Sequence, residues 1–398
     1  MPQLREHPDE PPSPIPLSRI AREWTRIGVT GFGGPPTHIA LLRQLCVERR
    51  GWIAPSEFED AIAACNLLPG PASTQLAIWC GRRLRGVAGA LLAGVCFIGP
   101  GLLMILALSA VFLAARPPVV VLGAAAGAGA AVPAVAVHAA WGLAPASWKR
   151  MRRDGAPSDE DRASRVRWVG YALVGAVSAA LAGEYLVLAL IACGALEIVI
   201  RARVAGSAIG ALPLALPLVA AGGLGALAWE AFKVGALSYG GGFVIIPLMQ
   251  HDAVHTYHWM TDARFLDAVA LGQVTPGPVV LTVGVVGYAA AGYGGALLAV
   301  LVAFSPSFLF VLVGARHFDT LRADRRVQAF LTGAGPAVIG AIAGSAIPLS
   351  LALGHGWQYV LLAAAAAWLL VGRRGVVSAL LLAAGCGALG ALAGLTVG

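Results

Sequence analysis

The sequence predicts an all-α, polytopic integral membrane protein with two inverted-topology repeats, in which helices are re-entrant or broken at two Pro-Gly-Pro motifs. Of the 398 residues, 58% are hydrophobic and only 12% are charged, and the mean hydropathy is +0.78. So little polar surface cannot cover soluble domains of this size. Apolar runs of about 20 residues, the length at which a helix crosses a bilayer core, recur along the chain. The two halves of the chain also repeat each other, Pro-Gly-Pro motifs included.

Nine apolar segments are candidate transmembrane helices. The six that are long enough to cross a core of about 30 Å are 87–115, 119–143, 205–229, 293–315, 327–350 and 376–396. The three shorter ones are 168–183, 186–200 and 357–372, which could be short helices, halves of a hairpin or spans across a thinned bilayer. We therefore expect a multi-pass protein whose surroundings are the lipid bilayer.

The charged residues indicate which loops face the cytoplasm. The polar loop at 147–167 carries seven Lys and Arg residues, so the positive-inside rule places it in the cytoplasm. The net charge of +8 is then a property of the loops, which argues against nucleic acid as a partner. Residues 1–18 are rich in proline and have no apolar core, so we expect a disordered cytoplasmic tail and no signal peptide. The six cysteines lack the short spacings of zinc or redox motifs, so we expect no metal and no cofactor.

An internal duplication changes this interpretation most. The matched segments are 25–35 with 232–242 and 52–71 with 259–278, both at an offset of 207 residues. The longer pair shares eight identities in twenty positions without a gap, including both Pro-Gly-Pro motifs. After a one-residue slip, Pro100 pairs with Pro306. We therefore expect a first repeat at 19–204 and a second at 205–398.

The two repeats carry their cationic loops at opposite positions. Two loops that are rich in Arg in the first repeat contain no Lys or Arg in the second. The next loop shows the reverse, with Arg116 in the first repeat and a cluster of Arg residues in the second. Because cations are retained in the cytoplasm, this exchange predicts repeats of opposite orientation.

Each Pro-Gly-Pro motif predicts a helix break inside the membrane. Cationic clusters flank the first motif on both sides, so we expect the chain to enter and leave from the cytoplasmic face. Segments 57–68 and 72–81 would form helices of about 18 Å and 15 Å, too short to span a bilayer. Broken backbone at this depth requires protein or a wet cavity around it. The second motif would approach from the opposite face, so both turns would meet at a shared midplane site.

A substrate site between the turns would use residues that the two repeats share. Glycine runs expose backbone amides that suit an oxyanion, side-chain amides can donate to it, and cations at the head of each glycine segment can attract it. The candidates are Gly33, Gly34, Asn66, Pro69, Gly70, Pro71, Gly240, Gly241, Gln273, Pro276, Gly277, Pro278, Arg26 and Lys233. Each type has a structural alternative, since small residues allow close helix packing, amides bond along helix surfaces and long cations snorkel to the interface.

Three carboxylates are candidates for proton coupling, because an intramembrane carboxylate is a functional hypothesis. They are the matched pair Asp60 and Asp267, and Glu184, which interrupts an apolar run. Asp60 has an alternative explanation as a first-turn acid that a helix dipole favours. A run of histidines at 251–258 has the spacing of a helix face and could suggest a metal, but an exposed loop explains it as well.

These motifs resemble the chromate ion transporter family in its long, two-domain form. The resemblance covers residues 20–396 and rests on Gly31–Pro35, Trp52, Pro69–Pro71, Ser238–Gly242 and Pro276–Pro278. It implies export of chromate from the bacterial cytoplasm across the inner membrane, with sulfate as an isosteric competitor. The second repeat has Gly242 where the first has Pro35, so the two repeats need not contribute equally.

The energetics favour export over uptake. Moving one charge across 100 mV is worth about 2.3 kcal/mol, so expelling a dianion from a cell at about −150 mV is favoured by about 7 kcal/mol. We expect a secondary transporter with alternating access, driven by the membrane potential or the proton gradient, and compatible with a homodimer. Uptake of sulfate or another oxyanion is the alternative, and a channel is a third possibility. An enzyme acting on lipid phosphate would need an acid, base or nucleophile cluster, so we expect no enzyme and no catalytic residues.

Overall fold

The computed structural model describes residues 15–66, 68, 70–114, 116–151, 158–181, 185–204, 223–238, 242–314 and 324–396. Every regular element in this part of the chain is helical, which confirms the all-α prediction. The helices are α1 (Leu17–Thr30), α2 (Pro35–Arg43), α3 (Pro55–Cys65), α4 (Ala72–Phe112), α5 (Val119–Met151), α6 (Ser158–Leu181), α7 (Leu186–Val204), α8 (Gly223–Leu237), α9 (Ile245–Gln250), α10 (Asp262–Val274), α11 (Thr282–Gly314), α12 (Arg325–Leu351), α13 (Gly356–Ala366) and α14 (Val376–Leu392).

Four helices are long and apolar enough to cross a membrane. They are α4, α5, α12 and the unit of α11 with the short 3-10 helix before it, at Val279–Leu281. Segments 119–143 and 327–350 lie on these helices, and so do 87–115 as far as Phe112 and 293–315 as far as Gly314. Helices α13 and α14 are apolar and shorter, and they carry the segments predicted at 357–372 and 376–396. The chain is therefore a polytopic membrane protein.

The remaining predicted segments agree with the observed helices to different extents. Segment 186–200 lies on α7, and segment 168–183 lies on α6 as far as Leu181, where the described residues stop. Segment 205–229 lies mostly outside the described residues, which begin again at Gly223 with α8. The prediction of a loop at 147–167 is wrong over most of its length, because α5 continues to Met151 and α6 begins at Ser158. Lys and Arg are good helix formers, so a cationic run does not itself end a helix.

The duplication is visible in the backbone at matched positions. Inside α4, Arg85 and Gly86 leave helical geometry with φ/ψ of −146°/28° and 58°/−146°. Inside α11, Ala291 and Gly292 do the same with −153°/32° and 60°/−151°. Glycine tolerates such positive φ values without a Cβ clash, which fixes the break at the same place in both helices. Each long helix is therefore two shorter helices joined at a glycine.

A second pair of irregular turns repeats just as closely. Helix α2 continues into a π-helical turn at Gln44–Arg49, and α9 continues into one at His251–Thr256, 207 residues later. The amide nitrogens of Trp52 and Trp259 close the two turns with hydrogen bonds of 2.7 Å and 2.8 Å to backbone carbonyls. Such turns are rare in helical proteins, so their recurrence at the same offset shows that these parts of the two halves fold alike.

The halves pack against each other through counterpart helices. Ala90 of α4 and Val311 of α11 share a small buried cluster. One turn later in α4, a Cβ on Gly94 would lie 2.2 Å from the ring of Phe308, which precedes Val311. Residue numbers thus rise along one helix while they fall along the other, so the second segments of α4 and α11 run antiparallel. In addition, α6 and α7 of the first half pack on α12, whereas α13 and α14 of the second half pack on α5.

Candidate functional site

Both Pro-Gly-Pro motifs end a helix where the sequence predicts it. Helix α3 ends at Cys65 and α4 begins at Ala72, while α10 ends at Val274 and a 3-10 turn begins after Pro278. The central glycines have φ values of +115° at Gly70 and +112° at Gly277, a region that L residues rarely adopt. The two turns therefore share one backbone shape that requires glycine.

Each turn contacts the opposite half of the protein. A Cβ on Gly70 would lie 3.1 Å from the Ser307 hydroxyl of α11 and 3.5 Å from the Gly235 carbonyl of α8. In return, the amide of Gly277 donates a 3.1 Å hydrogen bond to the carbonyl of Gly31, at the end of α1. A Cβ on Gly101 of α4 would lie only 2.3 Å from the carbonyl oxygen of Pro276. The turns are thus held reciprocally, each between the first and fourth helices of the other half.

Unpartnered polar side chains surround these turns. The buried side-chain atoms without a hydrogen-bond partner in the described part of the chain include Thr74 Oγ1, Ser238 Oγ, Gln273 Nε2 and Ser307 Oγ. The Nε2 atom of Gln75 would lie 2.7 Å from a Cβ on Gly70, so it converges with Ser307 on the first turn. Buried polar groups are normally paired, and several unpaired donors in one region indicate a polar ligand or water between them.

A cavity of about 250 Å³ leads to the first turn. Its walls are the end of α3 with the turn, the end of α5, and the middle of α12. The lining residues are Cys65, Asn66, Leu68, Gly70, Ala72, Leu143, Ala146, Ser147, Arg150, Gly335, Val338 and Ile339. Arg150 is the charged residue among them. Asn66 and Gly70 are the predicted site residues that line it.

The helix before the second Pro-Gly-Pro turn, α10, packs against α5, whereas the counterpart position in the first repeat faces the cavity. A Cβ on Gly129 of α5 would lie 2.8 Å from Oδ1 of Asp267, so α10 packs directly on α5. The counterpart of Gly129 is Gly335 of α12, which lines the cavity and has only the Ser147 hydroxyl, at 3.4 Å, near its Cβ position. Asp60, the counterpart of Asp267, is exposed. The two repeats therefore differ in conformation at this one contact.

Another cavity, of about 310 Å³, lies away from both turns. Its polar lining comes from the π-helical turn after α9 and the start of α10, with Gln250, His251, His255 and Asp262. The His255 Nε2 atom is 3.9 Å from Oδ1 of Asp262. No group of three or more metal-ligating side chains is present in the described part of the chain. The histidines thus line a cavity, and the sequence-based metal alternative gains no support from the described residues.

The predicted cations have carboxylate partners. The Arg26 Nη2 atom is 3.0 Å from Oε2 of Glu23, and the Lys233 Nζ atom is 2.7 Å from Oε2 of Glu230. Lys233 also contacts Asp252. Neither cation lines the cavity at the first turn.

Among the predicted glycines, Gly33 is exposed and Gly34 is partly exposed at the start of α2. Their positive φ values, +99° and +77°, shape the chain between α1 and α2. Gly31 lies at the centre instead, because its buried carbonyl accepts from Gly277. Four predicted site residues lie outside the described residues: Pro69, Gly240, Gly241 and Glu184.

Sequence reasoning missed several residues of the site. His38 is fully buried, with Nε2 2.8 Å from the Gly31 carbonyl and Nδ1 3.2 Å from the Ser73 hydroxyl. Its second-repeat counterpart is Ile245, so a search for shared residues passes over it. Ser307 follows Pro306, whose match with Pro100 could have directed attention to it. Arg150 belongs to a cationic run that looks like a solvated loop.

Comparisons with known proteins agree with the duplicated, polytopic architecture. The chromate transporter family model matches residues 18–213 and again 225–391. A chromate transport protein of Cupriavidus metallidurans is 33% identical over 345 residues, 84% of this chain and 82% of that protein. One from Pseudomonas aeruginosa is 31% identical over 358 residues, 85% of this chain and 82% of that protein. A probable chromate transport protein of Synechococcus elongatus is 29% identical over 346 residues, 84% of each chain.

No solved structure matches the chain. The family model covers most of the sequence in two copies, and its relatives are named as transport proteins and not as enzymes. This chain belongs to the chromate transporter family.

Proposed function

We propose that this protein exports chromate from the bacterial cytoplasm across the inner membrane. The observation that carries the proposal is the buried Ser307 hydroxyl beside Gly70, which has no hydrogen-bond partner among the described residues, at a turn that lines a cavity containing Arg150. A tetrahedral dianion can accept hydrogen bonds from the hydroxyl of Ser307 and from the side-chain amide of Asn66, which lines the same cavity. Hydrogen bonds to a charged group contribute about 1.5–3 kcal/mol each, enough for a few of them to hold it.

The second turn completes the proposed site. Gln273 precedes Pro276–Pro278, and its buried Nε2 atom has no partner among the residues described. The amide of Gly277 is engaged by Gly31, so we assign it a positioning role for the turn. The exposed Gly33 and Gly34, and the cations Arg26 and Lys233, would act earlier or later in transport, when the anion passes their segments.

The repeats supply the proposed mechanism of alternating access. Residues 19–204 and 205–398 would sit in the membrane with opposite orientations, as the antiparallel second segments of α4 and α11 support. The cavity then opens on the side of Arg150, which the positive-inside rule places in the cytoplasm. The contact between Gly129 and Asp267 closes the other side. Transport would exchange these two conformations between the repeats, with Asp60 and Asp267 alternately exposed.

The membrane potential supports the direction of transport. A potential of about −150 mV favours release of a dianion by about 7 kcal/mol, so export needs no further driving force. Exchange with one or two protons would add the proton gradient to it. Uptake of sulfate through the same site would have to overcome this energy.

Radiolabelled chromate flux in inside-out vesicles tests the function. We expect uptake into the vesicles that depends on an imposed potential and is inhibited by sulfate. Uptake under the opposite potential, or flux of sulfate alone, would contradict chromate export. A pH gradient imposed separately measures whether chromate flux is coupled to protons.

A pair of serines on α11 tests the site. Ser307 is buried without a partner among the described residues, whereas Ser305 is exposed and donates to the Val302 carbonyl at 2.7 Å. We expect Ser307→Ala to weaken chromate binding about tenfold or more, because a hydrogen bond to the anion is lost. Ser305→Ala is the matched control and should transport like the unaltered protein. Equal transport by the two variants would remove Ser307 from the site.

A further inference from the structure

A buried group of three charged side chains lies where α8 meets the turn after α9. Glu230 and Lys233 are on α8, and Asp252 is on the π-helical turn after α9. The Lys233 Nζ atom is 2.7 Å from Oε2 of Glu230 and also contacts Oδ2 of Asp252. The exposed fractions of the three side chains are 0% for Glu230, 17% for Lys233 and 10% for Asp252. One ammonium group thus stands between two carboxylates in the protein interior.

The carboxylate of Glu230 shares its nearby cation, Lys233, with a second carboxylate, that of Asp252. Neither of its oxygens has a hydrogen bond of acceptable geometry among the described residues, although Lys233 Nζ is close to one of them. With both carboxylates ionised, the group has a net charge of −1 in a medium where like charges repel strongly. One proton makes the group neutral, and the resulting O–H can donate to the other carboxylate.

The first repeat shows that the helix position does not require this arrangement. Glu23 is the counterpart of Glu230, and it lies 3.0 Å from Arg26 and 3.5 Å from Arg50. That group contains one carboxylate and two cations, so it has no need of a proton. The excess carboxylate is therefore a property of the second repeat alone.

The group is connected to the site and to a water-accessible surface. Gly235 follows Glu230 on α8, and its carbonyl faces the first Pro-Gly-Pro turn at Gly70. A Cβ on Gly235 would also lie 1.9 Å from the carbonyl of Ala303, one turn before Ser307 on α11. On the other side, Asp252 follows His251, which lines the cavity of about 310 Å³. A change in the group can thus reach the wall of the anion site.

The ionisable groups that face the carboxylate pair come from the elements that pack around it. Lys233 is on α8 itself, and His251 and Tyr257 flank Asp252 on the turn after α9. Helix α11 presents Ala303 to α8 at this level. The hydroxyl of Thr256 lies 3.4 Å from Oδ1 of Asp252 and donates to it.

We propose that the carboxyl pair of Glu230 and Asp252 binds the proton that is exchanged for the exported anion. The proton would enter from the cavity at His251, bond to one carboxyl oxygen and be shared with the other carboxylate, while Lys233 keeps its own protons. Release of the proton on the other side of the membrane would return the net charge of the group to −1. The inference rests on the proposed chromate export and specifies how export is coupled.

Two assays on the purified full-length protein in liposomes separate coupling from transport. Chromate exchange at equal pH requires substrate binding and conformational change but no net proton movement. Chromate accumulation driven by a pH gradient, with a pH-sensitive dye recording the proton flow, requires coupling. For the unaltered protein we expect both activities, with proton flow that depends on chromate.

The variants Glu230→Gln and Asp252→Asn test the pair. We expect each to keep chromate exchange while gradient-driven accumulation falls at least tenfold and the chromate-dependent dye signal is lost. Glu230→Asp, which retains a carboxyl group, should keep the coupling. Glu23→Gln is the matched control from the first repeat, and it should keep both activities.

Each outcome decides the inference. Chromate-dependent proton flow that persists in Glu230→Gln would overturn it, and so would accumulation that follows a sodium gradient. If the unaltered protein exchanges chromate but moves no protons, the inference fails while the proposed function stands. If the unaltered protein exchanges no chromate, the proposed function itself fails. Chromate exchange and proton flow in the unaltered protein are measured without any variant, so both tests remain decisive even if a variant folds poorly.

Discussion

Adding one methyl group at Gly101 should disturb the second Pro-Gly-Pro turn selectively. Gly101 is buried on α4, and a Cβ there would lie 2.3 Å from the carbonyl oxygen of Pro276. Ordinary contact begins at 3.4 Å, so the turn would have to retreat by about 1.1 Å. Overpacking of this kind typically costs about 1–3 kcal/mol, since the obstructing atom belongs to backbone and cannot rotate away.

Gly99 provides the control on the same helix. No atom outside the local helix backbone and neighbouring residues lies within 4 Å of a Cβ built there. Glycine to alanine within a helix also gains up to about 1 kcal/mol of helix propensity, and this gain is common to both positions. The difference between the two variants therefore isolates the contact with Pro276.

This overpacking energy should lower the population in which α10 contacts α5 through Asp267 and Gly129. At 1.4 kcal/mol for each factor of ten, about 1–3 kcal/mol reduces the closed population roughly 5- to 150-fold. The assays are chromate flux and the labelling rate of a cysteine at Asp267 in a cysteine-free background. We expect Gly101→Ala to lower flux about fivefold or more and to increase labelling, because α10 leads directly into the turn. Gly99→Ala should change both by less than twofold, and equal behaviour of the two variants would refute the reasoning.

Three further predictions concern orientation, attraction and stability. Cysteines at 45–50 should react with an impermeant reagent from the cytoplasm and those at 252–258 from outside, and labelling of both from one side would rule out inverted repeats. Arg150→Gln should raise the chromate concentration for half-maximal flux several-fold, because Arg150 lines the cavity, whereas Lys149→Gln should not; equal effects would assign the loss to loop charge. Trp24→Phe should lower the free energy of unfolding by about 1–3 kcal/mol, because the buried indole N–H donates to a backbone carbonyl at 3.0 Å; an unchanged denaturation midpoint would contradict this.

Local chemistry explains which parts of the fold could be predicted. Proline removes a backbone N–H donor and glycine permits positive φ, so three residues are enough to predict each helix break, at Gly70 and at Gly277. Hydrophobic length likewise predicts α4, α5, α11 and α12. The 147–167 loop was mispredicted because charge and helix formation are compatible, and composition alone does not distinguish a charged helix end from a loop.

The site depended on tertiary contacts that leave little local signal. Ser307 contributes one hydroxyl to an apolar helix, and it belongs to the site only because the first turn packs against it. Gly33 and Gly34 form the obvious motif, yet the central contact belongs to Gly31, since α1 ends there beside Gly277. Glu230 matches Glu23 in the repeat alignment, but Asp252, which makes its environment acidic, has no acidic counterpart. Contacts between residues that are distant in the sequence, and not the local sequence pattern, create these environments.

The central claim is that the two repeats exchange conformations around one anion site. Double cysteines at positions 129 and 267, and separately at 60 and 335, measure this directly through cross-linking during chromate transport. The account predicts that both pairs cross-link and that each cross-link stops transport, the first with the cavity at Gly335 still open and the second with it closed. Cross-linking of the 129–267 pair alone, in a protein that continues to transport chromate, would contradict it.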